Sequence, residues 1–403
     1  SGRGIEPMVK DIVFHLGDCK TGSTSIQHAL ATKAWRAEGA KVIYPLPRNM
    51  NHIYLSHSLR HADMYPLRTL YFRSIRKEIR RSSADHAAMS SEHFEYTDPA
   101  ALRRAIEKYL PDQADNIRLI AYVRPHAERL MSAFVERAKK GNARKSPKDL
   151  HKRFLATKLL YYAPRFEKWR TQFGDRFELR PMIRARLRNQ DVVEDFFDFL
   201  FQGAPFELTG RTEANKSLSV EDLALMREMH KRIRSRNPNL RRQQDSLGWN
   251  LSPLLVEHAA DKGTKPRLHR GLVRNLQSLY RDDAAALDAG FFDGTPMSDA
   301  LEAAIETAVD APQSYDAHDY FSDRELGHVH AFSDFIQRLI EASPESFHHA
   351  GVPSDQRGDY HTGSKPPNAR MSALADWAKR KVRAFRRFRR HIGRERLEKP
   401  GNR

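Results

Sequence analysis

Over the first two thirds of the chain, short apolar runs alternate with longer stretches of helical spacing. The first run, Asp11-Ile12-Val13-Phe14-His15-Leu16-Gly17, is β-branched, apolar on both faces and closed by a glycine. It predicts a buried strand. Residues 18–25 form a small polar loop. Helix formers then run from Ile26 to Glu38, among them Ala29, Leu30, Ala34 and Trp35, and Gly39 stops them. Lys41-Val42-Ile43-Tyr44 predicts a second strand ending at Pro45. Strand, glycine loop, helix, strand is a βαβ unit, which implies a parallel sheet. Further strands are expected at 86–91, 117–123 and 177–183. Helices are expected at 99–109, 125–140, 150–173 and 192–201. This alternation predicts a doubly wound α/β domain.

The pattern then changes. Residues 220–236 are helical and polar, 237–266 read as irregular, and 268–287 are helical again. After Phe292, 297–309 and 322–342 predict two helices with no strand between them. Proline, glycine, serine and histidine fill 343–370, the composition of a flexible linker. Residues 1–7, with no initiator methionine, read as a cloning remnant. The expected organisation is a domain over 8–295, a helical extension over 296–342, the linker, and a basic terminal segment over 371–403.

Lys plus Arg number 69 and Asp plus Glu 51, a formal charge of +18. Such a surplus points to anionic partners: phosphate or sulfate esters, acidic glycans, nucleic acid or an anionic membrane. The single cysteine, Cys19, excludes an internal disulfide and any zinc site built from several thiolates, and fits a reducing, cytoplasmic setting. No window approaches the ~18 apolar residues of a membrane span. No signal-peptide pattern is expected either.

The sharpest chemical signal is His15-Leu16-Gly17-Asp18-Cys19-Lys20-Thr21-Gly22-Ser23-Thr24-Ser25. A loop between strand and helix can aim successive backbone N–H groups at an anion, and the helix N-terminus adds partial positive charge. Gly22 lets the backbone pass close to the ligand, Lys20 brings a full charge, and the hydroxyls of Thr21, Ser23, Thr24 and Ser25 add donors. The order differs from a Walker A loop, in which Lys follows the second glycine.

Lys20-Thr21-Gly22-Ser23-Thr24-Ser25 resembles the 5′-phosphosulfate loop of sulfotransferases that use 3′-phosphoadenosine 5′-phosphosulfate (PAPS). A second stretch resembles the same family. Ile120-Ala121-Tyr122-Val123-Arg124 is a strand ending in arginine, and Pro125 to Ser132 opens a helix. Arg124 and Ser132 have the eight-residue spacing of the family's 3′-phosphate site, and Arg129 matches a common intermediate arginine. Pro125 departs from the family by following the arginine directly. The resemblance runs over about residues 8–293 and includes Asn215-Lys216-Ser217-Leu218-Ser219 and Tyr280-Arg281-Asp282-Asp283. It implies an α/β fold of the P-loop type, a three-layer sandwich around a central parallel sheet, followed here by the helical extension.

It also implies an activity: transfer of a sulfuryl group from PAPS to a hydroxyl or amine, releasing adenosine 3′,5′-bisphosphate, with no metal required. Lys20 is expected to neutralise charge on the leaving oxygen. The proton acceptor is expected on or after the strand before the arginine-bearing one. Glu92 is the first candidate, because open parallel sheets bind ligands beyond the carboxyl ends of their strands. His93 is the second and His57, after the second strand, the third. Each also has a plainer reading, Glu92 as a helix cap and the histidines as surface residues. Bacterial relatives and the basic surface point to a glycan or glycolipid acceptor, with small steroid-like acceptors left open. A P-loop kinase is the rival enzyme, disfavoured by the motif order. A basic nucleic-acid or membrane-binding protein without turnover is the rival of another class, nucleic acid being the less favoured partner.

Two basic stretches remain. Residues 136–153 carry Arg137, Lys139, Lys140, Arg144, Lys145, Lys148, Lys152 and Arg153, which read as a solvated face or as one wall of an acceptor cleft. Residues 371–403 hold 12 Lys or Arg against 3 Asp or Glu, half of the chain's positive surplus. At 100° per residue Leu374, Trp377, Phe385, Phe388 and Ile392 share one face, which Lys381 interrupts, while Arg383, Arg387, Arg390 and Arg394 face away. That pattern suits either the surface of an anionic membrane or packing against protein.

Overall fold

The computed structural model describes residues 9–344 and 347, apart from 48–49, 62–63, 143–145, 211–217, 234–240, 260 and 262, and apart from the side chains of 241 and 242. Residues 1–7, Arg144, Lys145, Asn215 to Ser217, nearly all of 343–370 and the whole of 371–403 therefore lie outside the described residues.

Five parallel strands form the central sheet: β1 (Asp11–His15), β3 (Val42–Ile43), β4 (His86–Ser90), β5 (Ile117–Val123) and β6 (Phe177–Pro181). Their spatial order is β3-β4-β1-β5-β6. A two-stranded antiparallel ribbon joins β2 (Trp35–Ala37) to β7 (Phe206–Leu208).

Period two in the strands decides the layers. Ile12, Phe14, Met89, Leu119, Ala121 and Val123 point into one core; Val13, Ala88, Ile120 and Tyr122 point into the other. The smaller core is closed by α1 (Ser23–Thr32) and α8 (Val192–Phe201), whose Phe196 and Phe197 are fully buried. The larger is closed by α2 (Ile53–Arg60), α3 (Tyr65–Arg81), α4 (Pro99–Tyr109), α5 (His126–Lys139), α6 (Pro147–Thr157), α7 (Ala163–Phe173), α9 (Val220–Ile233) and α11 (Arg270–Phe291). The result is a three-layer α/β sandwich. Helix α10 (Arg241–Glu257) packs on α5 and α9, α12 (Pro296–Ala303) on α11, and α13 (Asp323–Ala342) on α9. Met297, Leu301 and Tyr315 reach the larger core directly.

Several boundaries differ from the sequence expectation. The helix expected over 26–38 ends at Thr32, because Lys33 turns left-handed and Trp35 to Ala37 pair with β7 instead. The single helix expected over 150–173 is two, broken where Lys158 adopts φ 53°. The stretch expected to be irregular contains the 17-residue α10 despite Pro253. The first helix of the extension ends at Ala303, short of 309. Among the described residues no helix is long and apolar enough to cross a membrane.

Candidate functional site

The chain steps from β1 over β3 and back to β4 on one side, then crosses to β5 on the other. Such a reversal opens a crevice beyond the carboxyl ends of the strands. The loop after β1, the turn after β4 and the turn after β5 all empty into it.

Three left-handed residues shape the first loop: Gly17 at φ 64°, Lys20 at φ 71° and Gly22 at φ 82°. A lysine there is uncommon, and such backbone strain concentrates at functional sites. Gly17 has no alternative, since a Cβ would stand 2.5 Å from the Cα of Glu92. The loop closes on itself. Thr21 Oγ1 donates to the Asp18 carbonyl at 2.7 Å, and Ser23 Oγ donates to the same oxygen at 3.5 Å. Those two hydroxyls, expected to face an anion, are thus engaged inside the loop. Thr24 is exposed and Ser25 half-buried at the start of α1, whose first turn has no side-chain cap. Uncapped amides at a helix start are an anion site in waiting.

Beneath the loop lies a buried ionic cluster in which Asp18 and Arg129, from the two motif stretches, meet Arg165 and Glu95, which no motif includes. Asp18, fully buried, receives both terminal nitrogens of Arg165 at 2.7 and 2.9 Å. Burial pushes its carboxyl up to about 6, against the pull of that guanidinium. Arg129 donates to Glu95 at 2.9 Å, with both side chains buried. Burial works against ionisation of Glu95 too, but Arg129 and Arg165 outweigh it and hold the carboxyl at about 2. Arg129 thus commits Nη2 to Glu95, while its buried Nε and Nη1 have no hydrogen-bond partner among the described residues. The thiol of Cys19 is pushed up by the same burial and by the neighbouring Glu95 and Glu92.

At the end of β5, Arg124 keeps a buried Nε that has no hydrogen-bond partner among the described residues. Burial lowers its affinity for a proton, so an anion beside it would be welcome. Ser132 sits on α5 one helical turn before Glu136, and is half-buried. The turn carrying Arg124 is braced from α11. Asp283 accepts from His126 Nε2 at 2.9 Å and from the backbone N–H groups of Tyr162 and Ala163 at 3.0 and 2.9 Å. Tyr280, in the same segment, hydrogen-bonds His151 at 2.9 Å.

The loop and α5 meet through Lys20, whose ammonium lies 3.1 Å from Glu136 Oε2. Glu136 also holds Lys140 at 2.8 Å. Neither Glu136 nor this pairing stands out in the sequence, where its i,i+4 spacing to Lys140 looks like ordinary helix-surface charge.

The three candidate bases come together. Glu92 opens a 3₁₀ turn, Glu92–Tyr96, after β4, and Ser91 caps that turn by accepting from the His93 N–H at 3.2 Å. Glu92 Oε1 lies 4.0 Å from His93 Nε2, and His93 Nδ1 lies 3.2 Å from His57 Nε2, reaching across from α2. Burial raises the Glu92 carboxyl above its ordinary value, tempered by Lys140 and Lys20. Burial lowers His93, with Arg60 adding to the effect, and it lowers His57, with His93 adding to the effect. Among the described residues no group of three or more His, Cys, Asp or Glu could hold a metal ion.

No protein-family model matches the chain, and no curated protein matches it in sequence. Among solved structures it is similar to a sulfotransferase from Alicyclobacillus acidocaldarius, at 12% identity and a TM-score of 0.37, over 71% of this chain and 97% of that one.

Proposed function

We propose that this chain transfers a sulfuryl group from PAPS to a hydroxyl or amine of an acceptor, with a glycan or glycolipid as the favoured class. The observation that carries the reading is the Lys20–Glu136 contact. It brings the phosphate-type loop against the helix that bears Ser132, at the mouth where Glu92, His93 and His57 converge.

The residues present fit such a donor. The amides of the loop and of the start of α1, with Lys20, Thr24 and Ser25, would hold its 5′ end. Arg124, with its unpartnered buried Nε, and Ser132 would hold the 3′-phosphate. The donor supplies the sulfuryl group. In the transfer an acceptor oxygen bonds to sulfur, the bond from sulfur to the bridging oxygen breaks, and the acceptor proton passes to a base. The raised carboxyl of Glu92 suits that role. His93 and His57 stay neutral at pH 7 and could pass the proton onward. Lys20 meets the charge that grows on the leaving oxygen.

Calorimetry tests the reading: adenosine 3′,5′-bisphosphate should bind well and ATP poorly, and the reverse order would favour a kinase. Lys20→Ala should abolish transfer. Glu92→Gln should cut turnover by about 10²-fold or more with nucleotide affinity retained. Near-normal turnover in that variant would move the base to a histidine. Arg124→Ala should weaken binding of the bisphosphate but leave binding of adenosine 5′-phosphosulfate unchanged.

The basic stripe of residues 371–403 suits an anionic membrane or a protein surface equally, on sequence grounds alone. Sedimentation with anionic liposomes, with and without those residues, tests the membrane reading; equal association would remove it.

A further inference from the structure

Lys20, the cation on which the proposed chemistry depends, is already occupied. Glu136 Oε2 holds it at 3.1 Å. The other carboxylate oxygen, Oε1, is held separately by Lys140 Nζ at 2.8 Å and by the indole N–H of Trp249 at 3.5 Å. Lys140 and Trp249 brace each other, the ammonium lying 4.7 Å from the centre of the ring. Trp249 belongs to α10, which is pressed on α5 so closely that a Cβ at Gly248 would stand 2.1 Å from the carbonyl oxygen of Lys139.

The two oxygens thus play different parts. One is anchored to α5 and α10; the other reaches across to the loop. Releasing Lys20 removes the partner of Oε2 and leaves both partners of Oε1 in place. Leaving a partly buried carboxylate with no cation at all would be far less favourable.

We propose that Glu136 is an internal stand-in for the anionic end of the donor. It keeps Lys20 paired while the site is empty and yields Lys20 when the donor arrives, held back by Lys140 and Trp249. This rests on the sulfotransferase reading and deepens it. Glu136 becomes a positioning residue that sets donor affinity, acting through Lys20.

A competing internal anion has a signature that a plain structural bridge lacks. Glu136→Gln removes the competitor, so adenosine 3′,5′-bisphosphate and PAPS should bind more tightly, by about tenfold. Lys140→Met removes the alternative partner, so Glu136 grips Lys20 harder and binding should weaken by roughly threefold to fivefold. In the double variant, Lys140→Met should have lost its effect, and affinity should match that of Glu136→Gln alone. Thermal melts of each variant show whether it is folded.

Three results overturn the proposal. Unchanged or weaker binding in a folded Glu136→Gln protein shows a structural bridge. Equal weakening by Lys140→Met with and without Glu136 shows that Lys140 touches the nucleotide itself. Failure of the unaltered protein to bind the bisphosphate removes the sulfotransferase reading and this one with it, whereas binding that ignores Glu136 removes this one alone.

Discussion

At the scale of single residues, the loop after β1 is held from below as much as it is shaped from within. Asp18 is fully buried, and Arg165 is its main partner, with Arg129 adding a weaker pull. Breaking a buried pair by removing one member costs about 3–5 kcal/mol, because the charge left behind is uncompensated. Asp18 has an escape, however, since burial already raises its carboxyl to about 6. Without Arg165 it would rise further and take up a proton in mildly acidic solution. Arg165→Met should therefore cost more at pH 8 than at pH 5, measured by urea denaturation at both. The sign follows from linkage. A folded-state value above the unfolded one means that the native chain holds the extra proton, so stability falls as pH rises through that range. A cost independent of pH would show that Asp18 is not the group left stranded. Glu95 and Arg129 make the same point from the other side. Arg129, which sequence resemblance matches to the family's intermediate arginine, is anchored among the described residues by Nη2 alone.

At the scale of elements, α10 shows what glycine can mean inside a helix. A methyl at Gly248 would collide with the Lys139 carbonyl, whereas one at Gly327 in α13 meets nothing within 4 Å. Alanine favours a helix over glycine by about 1 kcal/mol. Gly327→Ala should therefore stabilise by up to ~1 kcal/mol, and Gly248→Ala should destabilise by about 1–3 kcal/mol as α10 is pushed from α5. Urea midpoints of the two variants moving in the same direction would contradict this packing. The sequence could not distinguish these two glycines, and that limit is general here. The five central strands were legible because strands buried on both faces are short, continuous and apolar, as in Asp11–His15 and Ile117–Val123. Helices α2 and α3 lie in 46–85, where the hydrophobic pattern predicts no element, and α10 falls in a stretch that Gly248, Asn250 and Pro253 make look like loop. Of the candidate site, the left-handed turn of Gly17, Lys20 and Gly22 is legible through a local motif, and the position of Glu92 through its place after β4. Glu136, Asp18–Arg165 and Trp249 are not, since their roles come from contacts across 116, 147 and 113 residues of chain.

At the scale of the whole molecule, the sandwich buries two imidazoles beside the carboxyl ends of β1 and β4, and these weaken it in acid. His15 is fully buried between the rings of Tyr122 and Phe196, with Nδ1 against Ser90 Oγ at 2.8 Å. His52 is fully buried, with Nδ1 accepting from the Ser90 N–H at 3.1 Å and Nε2 donating to the Pro45 carbonyl at 2.7 Å. Burial lowers His15 from 6.5 to about 3 and His52 from 6.5 to about 4. Between 6.5 and those values the unfolded chain binds protons that the native chain refuses, so stability falls as pH falls. Each imidazole contributes about 1.4 kcal/mol per pH unit, hence ~5 kcal/mol for the two between pH 6.5 and 4.5. Asp18 works the other way, because its raised carboxyl takes up a proton in the native state from about 6 downward, and it returns about 2 kcal/mol over the same interval. For these three groups together the loss is about 3 kcal/mol, a substantial share of the 5–15 kcal/mol typical of a folded domain. Below pH 4.5 Glu95 and Glu136, both held at about 2, begin to lose their contribution as well, so the decline should steepen. Urea denaturation at pH 7 and pH 4.5 measures it, with His52→Asn, less stable at neutral pH, losing ~1 kcal/mol or less between the two. If His52→Asn lost as much between the two values as the unaltered protein does, the His52 imidazole would not be sealed from water.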